Sequence, residues 1–238
     1  MLHVTAFAAG QKYISEIDGW NNALKRNSPF IQRILGVQEN NQLSVSVDEV
    51  FQENIDIAAD LLSENSSWNA KGIIKPLWIH YVMEKYVQDD DILVWTDIDS
   101  RVMGNLELVE EDLYDADLGM VLFDGRWLAG TIVARKTEEN MKWFKFWYDE
   151  CRYYVQPQTT NWMCNDQSVM RKLIDLNQSP GIIDLTSKWS SIPPMLSGLK
   201  ENPIHVYPVD KKSLIWHWQA SRGSVHGWNW PPEESKRV

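Results

Sequence analysis

The chain has 238 residues, a length that fits one domain, and 44% of them are hydrophobic, enough for a substantial core. Its formal net charge of −10 argues against nucleic-acid binding, because proteins that bind DNA or RNA neutralise phosphates with Lys and Arg. The two cysteines, Cys151 and Cys164, are too few for a disulfide framework. No apolar stretch approaches the ~20 residues that a membrane-spanning helix needs. We therefore expect a cytoplasmic protein.

The first half of the chain alternates between strand and helix patterns. In chain order, the pattern predicts a strand at residues 2–10 that ends in a glycine turn, a helix at 13–25 and a strand at 42–47. It then predicts a helix at 50–62, capped by Asp48, and a second helix that begins after a cap at Asn69 and ends at about Tyr86. Pro76 falls in the early part of the last helix, where proline is tolerated best.

The second half continues the alternation. Residues 92–96 form an unbroken apolar run, which is typical of a strand buried on both faces. The remaining elements are strands at 117–123 and 128–134 around a turn at Gly125, helices at 138–154 and 166–176, and short strands near 182–185, 204–207 and 214–218. This order favours one α/β domain over residues 1–230, followed by a polar tail over residues 231–238.

Two aspartates, Asp97 and Asp99, follow directly after the strand predicted at residues 92–96. Ligands of open α/β sheets bind just beyond the carboxyl ends of strands. Residues i and i+2 on extended backbone point the same way, so both carboxylates can converge on one hard cation such as Mg²⁺ or Mn²⁺. The alternative is a turn with two solvated acids. Phosphatases of the haloacid dehalogenase type also carry such a motif, but they expect Thr or Val where this chain has Arg101.

The segment of residues 91–100 resembles the DxD segment of GT-A-fold glycosyltransferases, particularly the retaining nucleotide-diphospho-sugar transferases. Further stretches between residues 4 and 223 follow the order found in that family. The resemblance implies a GT-A-like, Rossmann-type α/β fold with a mostly parallel central sheet flanked by helices. It also implies metal-dependent transfer of a sugar from a nucleoside-diphosphate sugar to an acceptor hydroxyl of a glycan, protein or small molecule, with retention of configuration.

The resemblance assigns residues to this site. Asp97, Asp99 and His217 are the expected ligands of Mn²⁺ or Mg²⁺, with His226 as the alternative third ligand. Asp166 and Gln167, at the head of a later helix, are the expected catalytic pair near the sugar. The residues expected to bind the nucleotide-sugar donor are Thr5, Ala6, Phe7, Tyr13, Lys75, Asp97, Ile98, Gly130, Thr131, Ser221 and Arg222.

Elementary chemistry supports several of these roles. Departure of a nucleoside diphosphate builds negative charge, which a bound cation stabilises as a Lewis acid, and such a cation makes an acidic protein compatible with an anionic donor. Lys75 and Arg222 are candidates for phosphate contacts, although Lys75 can equally be a solvated surface base. Asp166 can act as a base or stabilise positive charge on the sugar, or it can serve as a helix N-cap.

Two other functions remain open at this stage. A sugar-phosphate nucleotidyltransferase needs a glycine-rich basic loop after the first strand, and Gly10-Gln11-Lys12 is a poor match. A non-catalytic carbohydrate-binding module can use tryptophan, of which the chain has thirteen, to stack on sugar rings. Such a module has no need of Asp97 and Asp99.

Overall fold

The computed structural model describes residues 1–39, 42–48, 50–51, 72–123, 125–154, 165–185 and 214–217. Its strands are β1 (Leu2–Ala9), β2 (Gln32–Glu39), β3 (Gln42–Val47), β4 (Val50–Phe51), β5 (Ile92–Thr96), β6 (Ser100–Val102), β7 (Leu118–Phe123), β8 (Arg126–Arg135), β9 (Ile182–Asp184) and β10 (Ile215–His217). Its helices are α1 (Gln11–Ile14), α2 (Ile17–Asn27), α3 (Ile74–Tyr86), α4 (Val109–Leu113, preceded by a 3-10 turn at Leu106–Leu108), α5 (Glu138–Tyr154) and α6 (Asp166–Asp175).

Eight strands form one central sheet in the order β4-β3-β2-β1-β5-β8-β7-β9, and β6 and β10 form a separate antiparallel ribbon. Strands β2 and β5 run parallel to β1, and β9 runs parallel to β7. Among the described strands of this sheet, β3 and β8 run antiparallel to all the others. The prediction of an α/β fold with a mostly parallel central sheet is therefore confirmed.

Helices cover both faces of the sheet, and the sequence of β5 explains why. Alternate side chains of a strand point to opposite faces, and all five residues of β5 are buried. Leu93 and Trp95 pack in a cluster with α3, α5 and α6, whereas Ile92 and Val94 pack in a cluster with α2 and α4. This strand emerges between the two layers, and its carboxyl end carries Asp97 and Asp99.

Several predicted elements differ from those observed. The helix predicted at residues 13–25 consists of α1 and α2. The helix predicted at 50–62 is wrong at its start, because Val50 and Phe51 form β4 and pair back on β3 through a turn at Asp48, whose φ is 47°. Asn69 and residues 204–207 and 231–238 lie outside the described residues. Strands β2 and β6 and helix α4 were not predicted.

Strand β2 packs closely against α3, and this contact requires a glycine. A Cβ atom at Gly36 would contact the ring of Phe7 and would lie 2.8 Å from the ring of Trp78. The Phe7 and Trp78 rings themselves make an edge contact with centroids 5.3 Å apart. Gly36 therefore lets α3 approach the centre of the sheet, which sets the position of the amino-terminal end of α3 beside β5 and β8. Among the described residues, no helix is long and apolar enough to cross a membrane.

Candidate active site

Asp97 and Asp99 lie in the tight turn that joins β5 to β6. The Ser100 N–H donates to the Asp97 carbonyl at 2.9 Å, so the segment turns instead of extending. The expectation that extended backbone aligns the two carboxylates was wrong, since the turn determines their relative positions. The Asp97 side chain is 34% exposed, whereas Asp99 is almost buried. Ile98 between them is buried in the α2 side of the core, which anchors the turn.

Lys75 bridges the turn to helix α6. It is the second residue of α3, and its Nζ lies 3.0 Å from Asp97 Oδ1 and 3.2 Å from Asp166 Oδ2. The same Nζ donates to the Ala129 carbonyl at 3.0 Å and lies 5.5 Å from the centre of the Trp95 ring. Lys75 is thus an internal counter-ion of two carboxylates and not a solvated surface base.

The charge of Lys75 is held by these neighbours. Burial alone would lower the pKa of Lys75, but Asp97 and Asp166 more than compensate, through charge and hydrogen bonding, and raise its pKa above the usual value. Lys75 therefore stays cationic at neutral pH. A buried cation that faces two carboxylates at the end of a central strand is the strongest electrostatic feature of the site.

A β-bulge in β8 supplies the backbone groups that hold these side chains. The register of β7 against β8 jumps from Met120 opposite Ile132 to Val121 opposite Leu128, so β8 contributes three more residues here: Ala129, Gly130 and Thr131. The Gly130 carbonyl accepts from the Asp97 N–H at 3.1 Å. Bulges of this kind often lie beside active sites, where they redirect local pairing.

Both backbone groups of Ala129 are bound by site side chains. Its carbonyl accepts from Lys75 Nζ, and its N–H donates to Gln167 Oε1 at 3.0 Å. In a strand, the N–H and carbonyl of one residue point to the same edge. At the bulge, Lys75 and Gln167 therefore take the place that a residue of β7 would have in a regular ladder. The predicted donor-binding residues Gly130 and Thr131 belong to the same bulge; Thr131 is buried, and Gly130 is half-buried.

Helix α6 directs Asp166 toward Lys75. The N-cap of α6 is Asn165, whose side chain accepts from the Ser168 N–H in a reciprocal capping box. The N-cap alternative for Asp166 is therefore wrong. Its side chain is 10% exposed and lies against Gly72, where an added Cβ atom would be 3.1 Å from Asp166 Oδ1. The Asp166 carboxylate is thus held in a confined position.

Tryptophan N–H groups secure the same residues. Trp95 Nε1 donates to Asp97 Oδ1 at 3.1 Å, and Trp147 Nε1 donates to the Asp166 carbonyl at 2.9 Å. Sequence reasoning missed Trp95, Trp147 and Ala129. The signal in the sequence was that Trp95 stands two residues before Asp97.

The predicted third metal ligand, His217, lies in the strand that pairs with β6. His217 is opposite Ser100 in the β10–β6 ladder, one residue from Asp99. The structure describes the backbone of His217 but not its side chain. Ser221, Arg222 and His226 lie outside the described residues. Within the described part of the chain, no group of three His, Cys, Asp or Glu side chains forms a ready metal site.

The residues predicted to hold the nucleotide on β1 face the core. Thr5 and Ala6 have no exposed surface, and Phe7 is 7% exposed. The Thr5 hydroxyl donates to the Ile34 carbonyl and accepts from Trp78 Nε1, both at 2.8 Å. These side chains serve packing in the structure, because β1 is covered on both faces. Tyr13, in α1, is partly buried. Contact of this segment with a nucleotide stays a prediction.

Comparison with known proteins identifies the fold. No protein-family model matches the sequence, and no curated protein matches it. Solved structures do match: a glycosyltransferase involved in glycosylation of the major capsid of PBCV-1 has a TM-score of 0.58 and 13% identity, over 94% of this chain and 97% of that one. Mouse xyloside xylosyltransferase 1 has a TM-score of 0.56 and 10% identity, over 92% and 98%.

A third match is the glycosyltransferase GlyE of Streptococcus pneumoniae TIGR4, with a TM-score of 0.51 and 15% identity, over 91% of this chain and 54% of GlyE. These identities are too low to carry an activity from one protein to another. They do establish the architecture, in agreement with the resemblance of the DxD segment. The chain has the GT-A-type fold of these glycosyltransferases.

Proposed function

We propose that this chain is a metal-dependent glycosyltransferase that moves a sugar from a nucleoside-diphosphate sugar to an acceptor hydroxyl, with retention of configuration. The observation that carries the proposal is the Lys75 bridge between Asp97 and Asp166, at the carboxyl end of β5 in a fold shared with glycosyltransferases. This arrangement joins a candidate cation site to a confined carboxylate, and the reaction needs both.

The residues at the turn fit a hard cation. Asp97 and Asp99 offer carboxylate oxygens, which Mg²⁺ and Mn²⁺ prefer, and Asp97 reaches the surface. His217 is the proposed third ligand, supported by its pairing opposite Ser100. A bound cation would supply Lewis-acid stabilisation to the diphosphate oxygens. Trp95 Nε1 orients the Asp97 carboxylate by donating to Oδ1, as outer hydrogen bonds commonly do for ligating groups.

Lys75 and Asp166 carry the remaining charges of the proposed site, and Gln167 is the uncharged member of the proposed catalytic pair. In the transfer, the bond between the anomeric carbon and the diphosphate oxygen breaks, and a bond from that carbon to the acceptor oxygen forms. The acceptor proton leaves to a base, for which the departing diphosphate oxygen is available on the same face of the sugar. Asp166 stabilises the positive charge that develops on the sugar, and Lys75 stabilises the negative charge that develops beside Asp97. Gly130, which has no side chain and is half-buried, would allow close approach of the sugar, and Thr131 beside it stays a proposed donor-binding residue.

The proposed phosphate contacts are Ser221 and Arg222. Five residues are proposed to shape the nucleotide pocket through their backbone or local packing: Thr5, Ala6, Phe7, Tyr13 and Ile98. Arg suits paired hydrogen bonds to phosphate oxygens. The first test uses a panel of nucleotides.

Thermal unfolding tests the cation and nucleotide together. UDP, GDP and related nucleoside diphosphates should raise the Tm only when Mn²⁺ or Mg²⁺ is present, because a cation held by Asp97 and Asp99 would offset the negative charge of the diphosphate at this acidic turn. The substitution Asp99→Ala should abolish this shift, and Glu111→Ala, an exposed acid on α4, is the matched control that should retain it. Equal shifts for wild type and Asp99→Ala would overturn the metal site.

Product analysis then separates the rival functions. Release of nucleoside diphosphate from a sugar nucleotide identifies a transferase, and NMR of the first product reports whether the anomeric configuration is retained. Formation of pyrophosphate from a sugar phosphate and a nucleoside triphosphate would identify a nucleotidyltransferase instead. Binding of a glycan without either reaction, and without dependence on Asp97 and Asp99, would identify a carbohydrate-binding module.

A further inference from the structure

A buried ion pair that the proposed chemistry does not use lies on the α2 side of the acidic turn, residues 97–100. Arg101, in β6, has a side chain that is 5% exposed, and its Nη2 lies 2.6 Å from Oε2 of Glu16, the residue before α2. Its Nη1 donates to the Ser100 carbonyl at 2.8 Å. The guanidinium therefore links the segment between α1 and α2 to the end of the acidic turn.

Helix α2 leaves room for this guanidinium. Gly19 is the third residue of α2, and a Cβ atom there would overlap the end of the Arg101 side chain and lie 2.6 Å from its Nε. Glycine is unfavourable inside a helix relative to alanine. At residue 19, however, a side chain would displace Arg101 from Glu16.

The same helix holds the chain on both sides of the acidic turn. Before the turn, Trp20 Nε1 donates at 2.8 Å to the hydroxyl of Thr96, the last residue of β5. After the turn, Asn27 Nδ2 donates to the Val102 carbonyl at 2.7 Å, in addition to the contact of Arg101 with Ser100. The position of the turn thus depends on side chains of α2 and of the residue before it.

Stability alone does not account for a buried ion pair here. Removing two charges from water costs about as much as their attraction returns, and apolar side chains of similar volume often stabilise a protein equally well. An apolar side chain cannot bind a backbone carbonyl, whereas the planar guanidinium donates to Ser100 and to Glu16 at once. Because the Ser100 N–H also donates to the Asp97 carbonyl at 2.9 Å, both backbone groups of Ser100 are held.

We propose that Arg101 and Glu16 are positioning residues of the cation site, which hold the backbone of the acidic turn so that Asp97 and Asp99 keep the relative positions that a hard cation needs. The inference rests on the proposed function for the cation, whereas the contacts that hold the turn are independent of it. His217 lies opposite Ser100 in the β10–β6 ladder, so the same backbone also sets the place of the proposed third ligand.

Three substitutions weaken the pair to different degrees. Glu16→Gln keeps an acceptor but removes the charge, Arg101→Lys keeps the charge but lacks the planar fork, and Arg101→Met removes both. The matched control is Asn140→Ala. Asn140 is buried near the opposite end of β5, where its Nδ2 donates to the carbonyls of Asp117 and Arg135 at 2.7 and 2.9 Å.

All of these variants should lower the Tm by about 4–8 °C, so the loss of stability does not separate a positioning role from a structural one. The two milder variants, Glu16→Gln and Arg101→Lys, carry the comparison if Arg101→Met does not fold.

Binding of Mn²⁺ alone, measured from the EPR signal of the free ion, separates the two roles without turnover. Glu16→Gln and Arg101→Lys should each raise the Kd of Mn²⁺ by about tenfold, the size of effect that loss of an outer hydrogen bond has on metal affinity. Asn140→Ala should keep the wild-type Kd within about twofold at a similar loss of Tm. With a sugar nucleotide that wild type cleaves, the pair variants should need more Mn²⁺ but retain kcat within about threefold at saturating Mn²⁺.

Hydrogen exchange without a cation tests the turn itself. The Ser100 N–H should exchange faster in Glu16→Gln and Arg101→Lys than in Asn140→Ala, because the backbone of the turn has lost its support on the α2 side.

Several results would overturn this assignment. One is a Kd of Mn²⁺ that is unchanged in both pair variants, and another is a Kd that rises as much in Asn140→Ala. Equal exchange of the Ser100 N–H in the pair variants and the control would also contradict it. If wild type binds no Mn²⁺, the proposed function loses its cation and the assignment to a cation site fails with it, whereas hydrogen exchange still decides whether the pair holds the turn.

Discussion

Replacing Lys75 with Met tests how strongly the bridge between Asp97 and Asp166 stabilises the fold. Met has a similar length and removes the charge. The Asp166 side chain is 10% exposed and would remain buried without its cation, and removal of one partner of a buried ion pair costs about 3–5 kcal/mol. The contact to Asp97 adds less, because that carboxylate is 34% exposed and water screens it. We expect Lys75→Met to lose about 3 kcal/mol, which corresponds to a Tm lower by about 6–12 °C.

The stability that Lys75→Met loses should depend on pH. In Lys75→Met, the buried Asp166 carboxylate has lost its cation, so its negative charge opposes folding at neutral pH. The stability deficit relative to wild type should therefore be largest at pH 7 and should shrink as the pH falls toward about 4, where carboxylates in general begin to take up protons. In wild type, the pKa of Lys75 is raised, so its stabilisation is present at neutral pH and is lost only in strongly alkaline solution.

Urea unfolding of four proteins measures the effect: wild type, Lys75→Met, Asp166→Asn and the double variant. Because Asp166→Asn removes the stranded charge, the double variant should be more stable than the sum of the two single losses predicts. Equal unfolding midpoints for wild type and Lys75→Met at pH 7 would refute the reasoning, as would strict additivity in the double variant.

Three further predictions concern the surrounding structure. Burial raises the pKa of the Cys151 thiol, so the folded Cys164→Ser variant should not react with a thiol reagent. Unfolding that variant in urea should expose one reactive thiol, and rapid reaction of the native protein would contradict this prediction. Gly36→Ala should lower the free energy of unfolding by about 1–3 kcal/mol through its clash with Trp78, and an unchanged urea midpoint would count against that contact. Asn165→Ala removes the α6 cap and should cost about 1 kcal/mol in urea unfolding, so full wild-type stability would contradict the capping box.

The elements predicted well are those whose pattern is local. Strand β5 is an apolar run, and α5 has regular helical spacing, so neither depends on distant residues. Strand β2 was missed because Gly36 interrupts its apolar pattern. The reason for that glycine is the approach of Phe7 and Trp78, which are remote in sequence and whose packing no local pattern reveals.

In the candidate site, too, local features could be predicted from the sequence and contacts between distant residues could not. The sequence places Asp97, Asp99 and Asp166 at the ends of elements, where ligands bind, but it does not pair Lys75 with two of them. That pairing depends on how α3 and α6 pack against β8. The bulge at Ala129 also cannot be predicted from the sequence, because it is a shift in register between two strands and not a property of either strand. The N-cap alternative for α6 was placed one residue late, at Asp166 instead of Asn165, because Asn and Asp are both favoured N-cap residues.

Release of nucleoside diphosphate from sugar nucleotides tests the central claim most directly. Wild type should release it from at least one donor only with Mn²⁺ or Mg²⁺, and an acceptor should increase the rate. Asp97→Asn, which keeps the shape of the side chain but removes its charge, should lower the rate by about 100-fold or more. Release that persists in EDTA and in Asp97→Asn, or no release from any donor in the panel, would contradict the proposed function.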